Sequence, residues 1–352
     1  MQTPFSDIKI DMDISKFDYN LPEELIAAYP KARGQSRLML LDRESRTIEH
    51  RMFSELPDIL NYPISIVRNI TRVIKTRLFA ERVTGASIEL LILNPYVEGN
   101  EFEALINKGG RLKMGEKLIL DADSSIEIIS RDREVFNIRI VSQKNTHDIF
   151  KEMGHVPLPP YIKRPDEAND ADTYQTVYSK INGSSAAPTA GLHFSDDIIN
   201  DLERRGAEIL DILLHVGLGT FEPVKTDRIE EHDMHSEYFS ISSEICSKLN
   251  NINRDKQPVL AIGTTSIRVL ETVYDKETAM FHADTGHTDI FIYPPMEIHG
   301  ADMLLTNFHL PKSTLLMLVS SFAGRKFILN AYAEAVEENY RFFSYGDSML
   351  IR

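Results

Sequence analysis

Cysteine is almost absent: Cys246 is the single thiol in 352 residues. No intrachain disulfide and no thiolate metal cluster can form from it. Long apolar runs are missing too. Nothing approaches the roughly 18 consecutive apolar residues of a membrane span, so no membrane association is expected. The stretch MQTPFSDIKIDMDIS at the start is acidic and polar, with neither the basic opening nor the apolar core of a secretory signal. Positive charge is in deficit, 39 basic against 53 acidic residues, for a net charge of −14. A protein that coats nucleic acid nonspecifically needs the opposite balance, because phosphate neutralisation dominates such binding. A local basic surface reading one RNA loop stays compatible with this charge. No internal repeat and no low-complexity segment is found. What remains, 42% hydrophobic and 26% charged, is ordinary for a globular chain. At this length two domains and a cytoplasmic enzyme are expected.

Three textures follow one another along the chain. In the first 60 or so residues, Arg37 to Asp42 (RLMLLD) reads as a buried strand and Phe53 to Leu60 as a short turn of helix. From about Pro63 to Phe150 short strands alternate with turns: Ser65–Val67, Thr76–Arg82, Ile88–Leu93, Lys117–Leu120, Ile126–Ile129 and Val135–Val141. Regularly spaced strands without helices between them suggest a small β-barrel. Val156-Pro157-Leu158-Pro159-Pro160 must be extended and makes a plausible domain junction. Beyond it strands and helices alternate. Ser195 suits the N-cap of a helix running to Arg205 and ended by Gly206, and Ile209–Leu214 suits a buried strand. Further helices are expected near Ser243–Asn253, Thr265–Tyr274, Leu315–Phe322 and Phe327–Tyr340, with a strand at Val259–Ile262. Such alternation implies a mainly parallel sheet covered by helices. The expected architecture is an α/β main domain (1–62 and 156–352) with an inserted β-barrel domain (63–155).

Several loops of the α/β part carry more Gly, Thr, His and Pro than connectors require. In SSAAPTAGLHF (Ser184–Phe194), small residues let a ligand approach the backbone, and His193 precedes a helix start; a tight turn with a buried structural histidine is the competing reading. LHVGLGTFEPV (Leu214–Val224) places Gly217, Gly219, His215 and Glu222 at a strand end, where ligands collect on open α/β sheets; a simple bend explains it equally well. His232 and His235 in EHDMHSEYF are spaced to share a helical face, but lack a third metal ligand. AIGTTSIRVLE (Ala261–Glu271) runs strand, glycine, two threonines, helix, and the N–H groups of that helix start suit a carboxylate or ribose oxygens; capping by Thr264 is the alternative. It lacks the glycine pattern of a Walker or dinucleotide motif. In TNFHLPKSTLLMLVSSFAG (Thr306–Gly324) the polar cluster Asn307, His309, Lys312 and Ser313 precedes an apolar core helix. YRFFSYGDSMLI (Tyr340–Ile351) offers aromatics and Arg341 to a base, or a C-terminal strand to the core.

Taken in order, these strings resemble the S-adenosylmethionine:tRNA ribosyltransferase-isomerase family of queuosine biosynthesis. The resemblance runs from FDYNLPEELIAAYP (Phe17–Pro30) through HVPLPPYIKR (His155–Arg164) and DTYQTVYS (Asp172–Ser179) to the six loops above, nearly the whole chain. It departs from the family pattern in the barrel region. A family Gly-Asp is Pro63-Ile64 here, the run Asn-Asp-Thr-Arg-Val-Ile-Pro is Asn69-Ile70-Thr71-Arg72-Val73-Ile74-Lys75, and Thr-Gly-Gly is Thr84-Gly85-Ala86.

The resemblance implies a transferase that consumes S-adenosylmethionine as a substrate. The acceptor would be the aminomethyl group of a 7-deazaguanine at the wobble position of a tRNA anticodon stem-loop. The products would be adenine, methionine and epoxyqueuosine-tRNA. No cofactor and no metal are expected, and the enzyme is expected to act as a monomer. The reaction asks for a base at C5′, a proton donor for departing adenine, a receptor for the methionine carboxylate, and a π surface with a phosphate clamp for the flipped base. His193 and His215 lead as acid and base, since imidazole titrates near neutrality, with Glu222 or His309 able to replace either. Gly263, Thr264, Thr265 and Arg268 are assigned to the methionine end, and Gly217, Gly219 and Thr220 to the adenosine. Arg72, Lys75, Arg77, Lys163, Arg164, Lys312 and Arg341 are the expected RNA contacts. Two other functions compete: a noncatalytic RNA-binding paralogue, favoured by the altered run at Ile70, and an S-adenosylmethionine-dependent RNA methyltransferase. The second lacks a convincing acidic ribose-binding residue after a glycine-rich strand turn.

Overall fold

Leu38, Met39, Leu40 and Leu41 are all buried, the even pair in one core cluster and the odd pair in another. That division follows from the two-residue period of a strand and requires a sheet covered on both faces. The computed structural model describes residues 12–107, 109–217, 224, 226 and 228–352. Strands β1 (Arg37–Leu41) and β2 (Ile48–Met52) form a hairpin. After the short helix α1 (Leu56–Ile59), β3 (Ile64–Asn69) crosses the same layer and β4 (Thr71–Val73) leads out of it.

The chain then closes an antiparallel barrel from β5 (Arg77–Arg82), β6 (Ser87–Ile92), β7 (Glu101–Ile106), β8 (Lys117–Ile119), β9 (Ser125–Asp132) and β10 (Val135–Val141). Leu78, Ile88, Leu90, Phe102, Ile126 and Ile138 fill it, and Ile149 and Phe150 of α2 (Thr146–Met153) join the same cluster. The chain returns through α3 (Asp170–Thr173) and β11 (Ile181–Ser184), which pairs in parallel with β4. The outgoing and returning segments therefore lie side by side.

Helix α4 (Asp196–Arg204) starts where the Ser195 hydroxyl accepts from Ile198 N–H, and Gly206 follows its end at φ +96°. The rest alternates: β12 (Ala207–Leu214), β13 (Glu237–Ile241), α5 (Ser243–Asn251), β14 (Val259–Ile262) and α6 (Gly263–Val273). A two-residue hairpin, β15 (Tyr274–Asp275) and β16 (Met280–Phe281), precedes β17 (Asp284–Thr288), β18 (Met303–Asn307), α7 (Thr314–Ala323), α8 (Arg325–Glu337) and β19 (Ser348–Ile351). The large sheet is nine-stranded, in the order β17-β13-β12-β3-β14-β18-β19-β1-β2.

The α/β architecture with an inserted barrel is as the sequence implied, with three corrections. Ser65–Val67, grouped with the barrel strands, belongs to β3 at the centre of the large sheet, hydrogen-bonded to β12 and β14. The sheet is mixed rather than mainly parallel: β12, β3, β14 and β18 run parallel, while β13, β17, β2 and β19 each form antiparallel pairs. The barrel strand β7 had no counterpart in the sequence reading, because EFEALI alternates Glu with small or apolar residues of mixed propensity. Of the C-terminal readings, β19 is the core strand.

Candidate active site

Because β12, β3, β14 and β18 run parallel, their carboxyl ends share one edge, where ligands gather on open α/β sheets. A cavity opens there. Gly263, Thr264 and Thr265 line it from the β14–α6 turn, and Thr306, Asn307 and His309 from the end of β18. Gly263 has φ +83°, a backbone that L side chains rarely adopt. No side chain caps the start of α6, so among the described residues its first-turn N–H groups have no capping side chain. Among the described residues, two buried polar atoms on the wall are unpartnered, the Thr265 hydroxyl and the Asn307 carbonyl Oδ1. A wall that offers free donors and free acceptors is built for a polar ligand.

The three described histidines assigned to catalysis are all buried, and burial holds each neutral, His193 and His215 down to about 4 and His309 to about 3. They occupy different places. His193, in the turn of 3₁₀-helix Thr189–His193, has Nδ1 2.8 Å from Ser36 Oγ and Nε2 3.1 Å from Asn307 Nδ2. An amide NH₂ can only donate, so Nε2 accepts and Nδ1 carries the proton, donating to Ser36. Neither ring nitrogen is left for a substrate. His215, just past β12, holds Thr71 Oγ1 at 2.8 Å from Nδ1. Its ring lies near-parallel to those of Tyr96 at 5.1 Å and Tyr238 at 5.5 Å. Gly183 is packed so closely beneath it that a Cβ there would fall 2.5 Å from the imidazole. His309 lines the cavity itself, with Nε2 2.9 Å from Thr306 Oγ1. Its backbone is fixed by two tyrosines: its N–H donates to Tyr332 Oη, and Tyr19 Oη donates to its carbonyl.

Arg268 is not on the cavity wall. It sits one turn into α6, its Nη1 donating to Glu237 Oε2 in a pair whose side chains are each 3% exposed. Glu237 Oε1 also accepts from Gly217 N–H at 2.9 Å. Gly217 thus serves the loop's own anchoring, while Gly219, Thr220 and Glu222 lie outside the described residues. His232 and His235 do not share a helical face, because the 3₁₀ turn Ile229–Glu231 stops before them. Among the described residues, no group of three or more His, Cys, Asp or Glu is placed to hold a metal.

The profile of a sequence family described as "Queuosine biosynthesis protein" matches residues 14–351. The chain belongs to that family. A relative from Sulfurihydrogenibium sp., named S-adenosylmethionine:tRNA ribosyltransferase-isomerase, is 50% identical over 342 residues, covering 97% of this chain and all of its own. A Staphylococcus saprophyticus protein of the same name is 46% identical over 344 residues, with the same coverage. The crystal structure of an S-adenosylmethionine tRNA ribosyltransferase from Thermotoga maritima aligns with a TM-score of 0.54 at 35% identity, over 96% of this chain and the whole of that one. The family resemblance read from the loop strings therefore stands.

The basic residues of this queuosine family member divide sharply by what they already hold. Arg164 forms a bidentate pair with Asp170 at 2.6 and 2.7 Å and covers the Tyr29 ring. Arg77 lies 3.2 Å from Glu89 and donates to the Leu158 carbonyl, tying the barrel to the returning chain. Arg341 donates to the Tyr29 carbonyl, Lys312 pairs with Asp18 at 2.8 Å, and Lys163 pairs with Glu23. Arg72 and Lys75 are different. With His147 and Lys151 they line a cleft beside the barrel, and among the described residues Arg72 has only a 3.4 Å contact to Ser179 Oγ. Sequence reasoning passed over Lys151, because a lone exposed lysine on a helix carries no local signal. It also passed over Tyr96, whose barrel loop reaches His215 only through the tertiary fold. Asn307 was noticed within a polar cluster without a role. Ile70, at the family's Asp position, packs beside the cluster of Ile64, Ile66 and Tyr178.

Proposed function

We propose that this chain transfers the ribosyl part of S-adenosylmethionine to a 7-aminomethyl-7-deazaguanine at the wobble position of tRNA and isomerises it, releasing adenine and methionine. The observation that supports this best is the cavity at the sheet's carboxyl edge. It joins an uncapped helix start to unpartnered Thr265 and Asn307, in a chain whose relatives carry that activity in their names over their full length.

In this reading the methionine carboxylate sits on the N–H groups of Gly263, Thr264 and Thr265, where the helix dipole favours an anion. Arg268 stays with Glu237 and supports the wall from behind. The sulfonium acidifies the C5′ hydrogens, and a neutral imidazole is the base suited to take one. His309 is the imidazole on the cavity wall and takes that part. His193 is a positioning residue, and His215 braces the junction of sheet and barrel. The scheme uses no metal and no cofactor. The anticodon stem-loop enters over the cleft of Arg72, Lys75 and Lys151, so that the wobble base reaches the cavity flipped out of its stack. The methyltransferase alternative finds no support in the names of the relatives. The test is product analysis with tRNA carrying the modified base: adenine and methionine appear in equal amounts. S-adenosylhomocysteine as product would overturn the reading.

A further inference from the structure

We infer that Asn307 is the receptor for the α-ammonium group of the bound S-adenosylmethionine, aimed by a relay from Ser36 through His193; the inference rests on the proposed function. Asn307 is 2% exposed and lines the cavity. Its Nδ2 donates to the Phe343 carbonyl at 3.0 Å and to His193 Nε2 at 3.1 Å. The Phe343 carbonyl admits only a donor, so the amide cannot be turned around. Both amide protons are therefore used inside the protein, and Oδ1 is left as a buried acceptor with no partner among the described residues. Such an atom costs stability unless a ligand supplies a donor.

The neighbouring wall says which donor. β14 and β18 pair in parallel with Ile262 opposite Leu305, which sets the α6 start beside the chain's exit from β18, about 4.8 Å away at the strand spacing. An anion receptor and a bare acceptor thus stand side by side. A carboxylate and an ammonium on one carbon need that arrangement, whereas adenine offers an amine but no anion. Thr265 Oγ1, also buried and without a partner among the described residues, can donate to the carboxylate. His193 and His309 are held neutral by burial, so neither imidazole opposes the ammonium.

The experiment compares the affinity of the full-length chain for S-adenosylmethionine and for its deamino analogue, in which hydrogen replaces the α-amino group. A charge-assisted hydrogen bond predicts that the wild type prefers S-adenosylmethionine by roughly 10- to 100-fold. In Asn307→Ala that preference falls to about threefold or less, while the deamino analogue binds nearly as before. An equal loss for both ligands in the variant overturns the assignment. So does a wild type indifferent to the amino group, a result that needs no variant to fold. Wild type that binds no S-adenosylmethionine, or binding that survives Thr189→Trp at the half-buried cavity rim, overturns the proposed function itself.

Discussion

Glu237→Gln is expected to cost more stability than Arg268→Met, and the double variant less than either. The two side chains are each 3% exposed, so neither charge is relieved by water. The guanidinium has no acceptor besides Glu237 among the described residues, since its Nε and Nη2 are unpartnered. Glu237 also accepts from the Gly217 N–H. Removing the carboxylate charge strands a buried cation, at about 3–5 kcal/mol. Removing the arginine leaves the carboxylate a hydrogen bond and costs less. Glu237→Gln with Arg268→Met removes both charges at similar volume, and should return to within about 1–2 kcal/mol of the wild type. Urea unfolding followed by far-UV circular dichroism suits a chain with no tryptophan. Single losses that simply add in the double variant would refute the account of the pair. A stable double variant whose affinity for S-adenosylmethionine falls by about tenfold or more would instead put the guanidinium on the ligand.

Two other outcomes follow from the same geometry. His193, His215 and His309 are all lowered below the ordinary imidazole value by burial, to about 4, about 4 and about 3. Between those values and about 6.5 the unfolded chain binds more protons, so their contribution to stability is complete above about pH 6.5 and falls as the pH is lowered through this window. His193→Gln should reduce the slope of unfolding free energy against pH there by about 1.4 kcal/mol per pH unit; an unchanged slope refutes the burial argument. Arg72→Ala and Lys75→Ala should each lower the salt dependence of tRNA binding by about one unit, while Lys163→Ala, already paired with Glu23, should not. The reverse order would move the RNA contact from the cleft to Lys163.

The strands legible in the sequence were those whose pattern is local. RLMLL, buried on both faces, and the Ser195 cap with Gly206 beyond it need only their own neighbours to be recognised. β3 was misplaced because ISIVRN looks the same in a barrel or a central sheet, and only its pairing with β12 and β14 decides. The site loops were found because glycine, threonine and histidine cluster at strand ends. Which histidine faces the cavity was not legible, since Ser36, Asn307 and Tyr96 reach their histidines from distant parts of the chain. For the same reason the pairing of Arg268 with Glu237 was not legible, since the two lie 31 residues apart in the chain.

The ribosyl part of S-adenosylmethionine, and not its methyl group, is expected to reach the RNA. S-adenosylmethionine labelled separately in its ribose carbons and in its methyl group tests it, with tRNA carrying the 7-aminomethyl-7-deazaguanine as acceptor. The account predicts ribose label in the tRNA, methyl label in free methionine, and unlabelled adenine released in equal amount. Methyl label in the tRNA, with the ribose label left in S-adenosylhomocysteine, would contradict it.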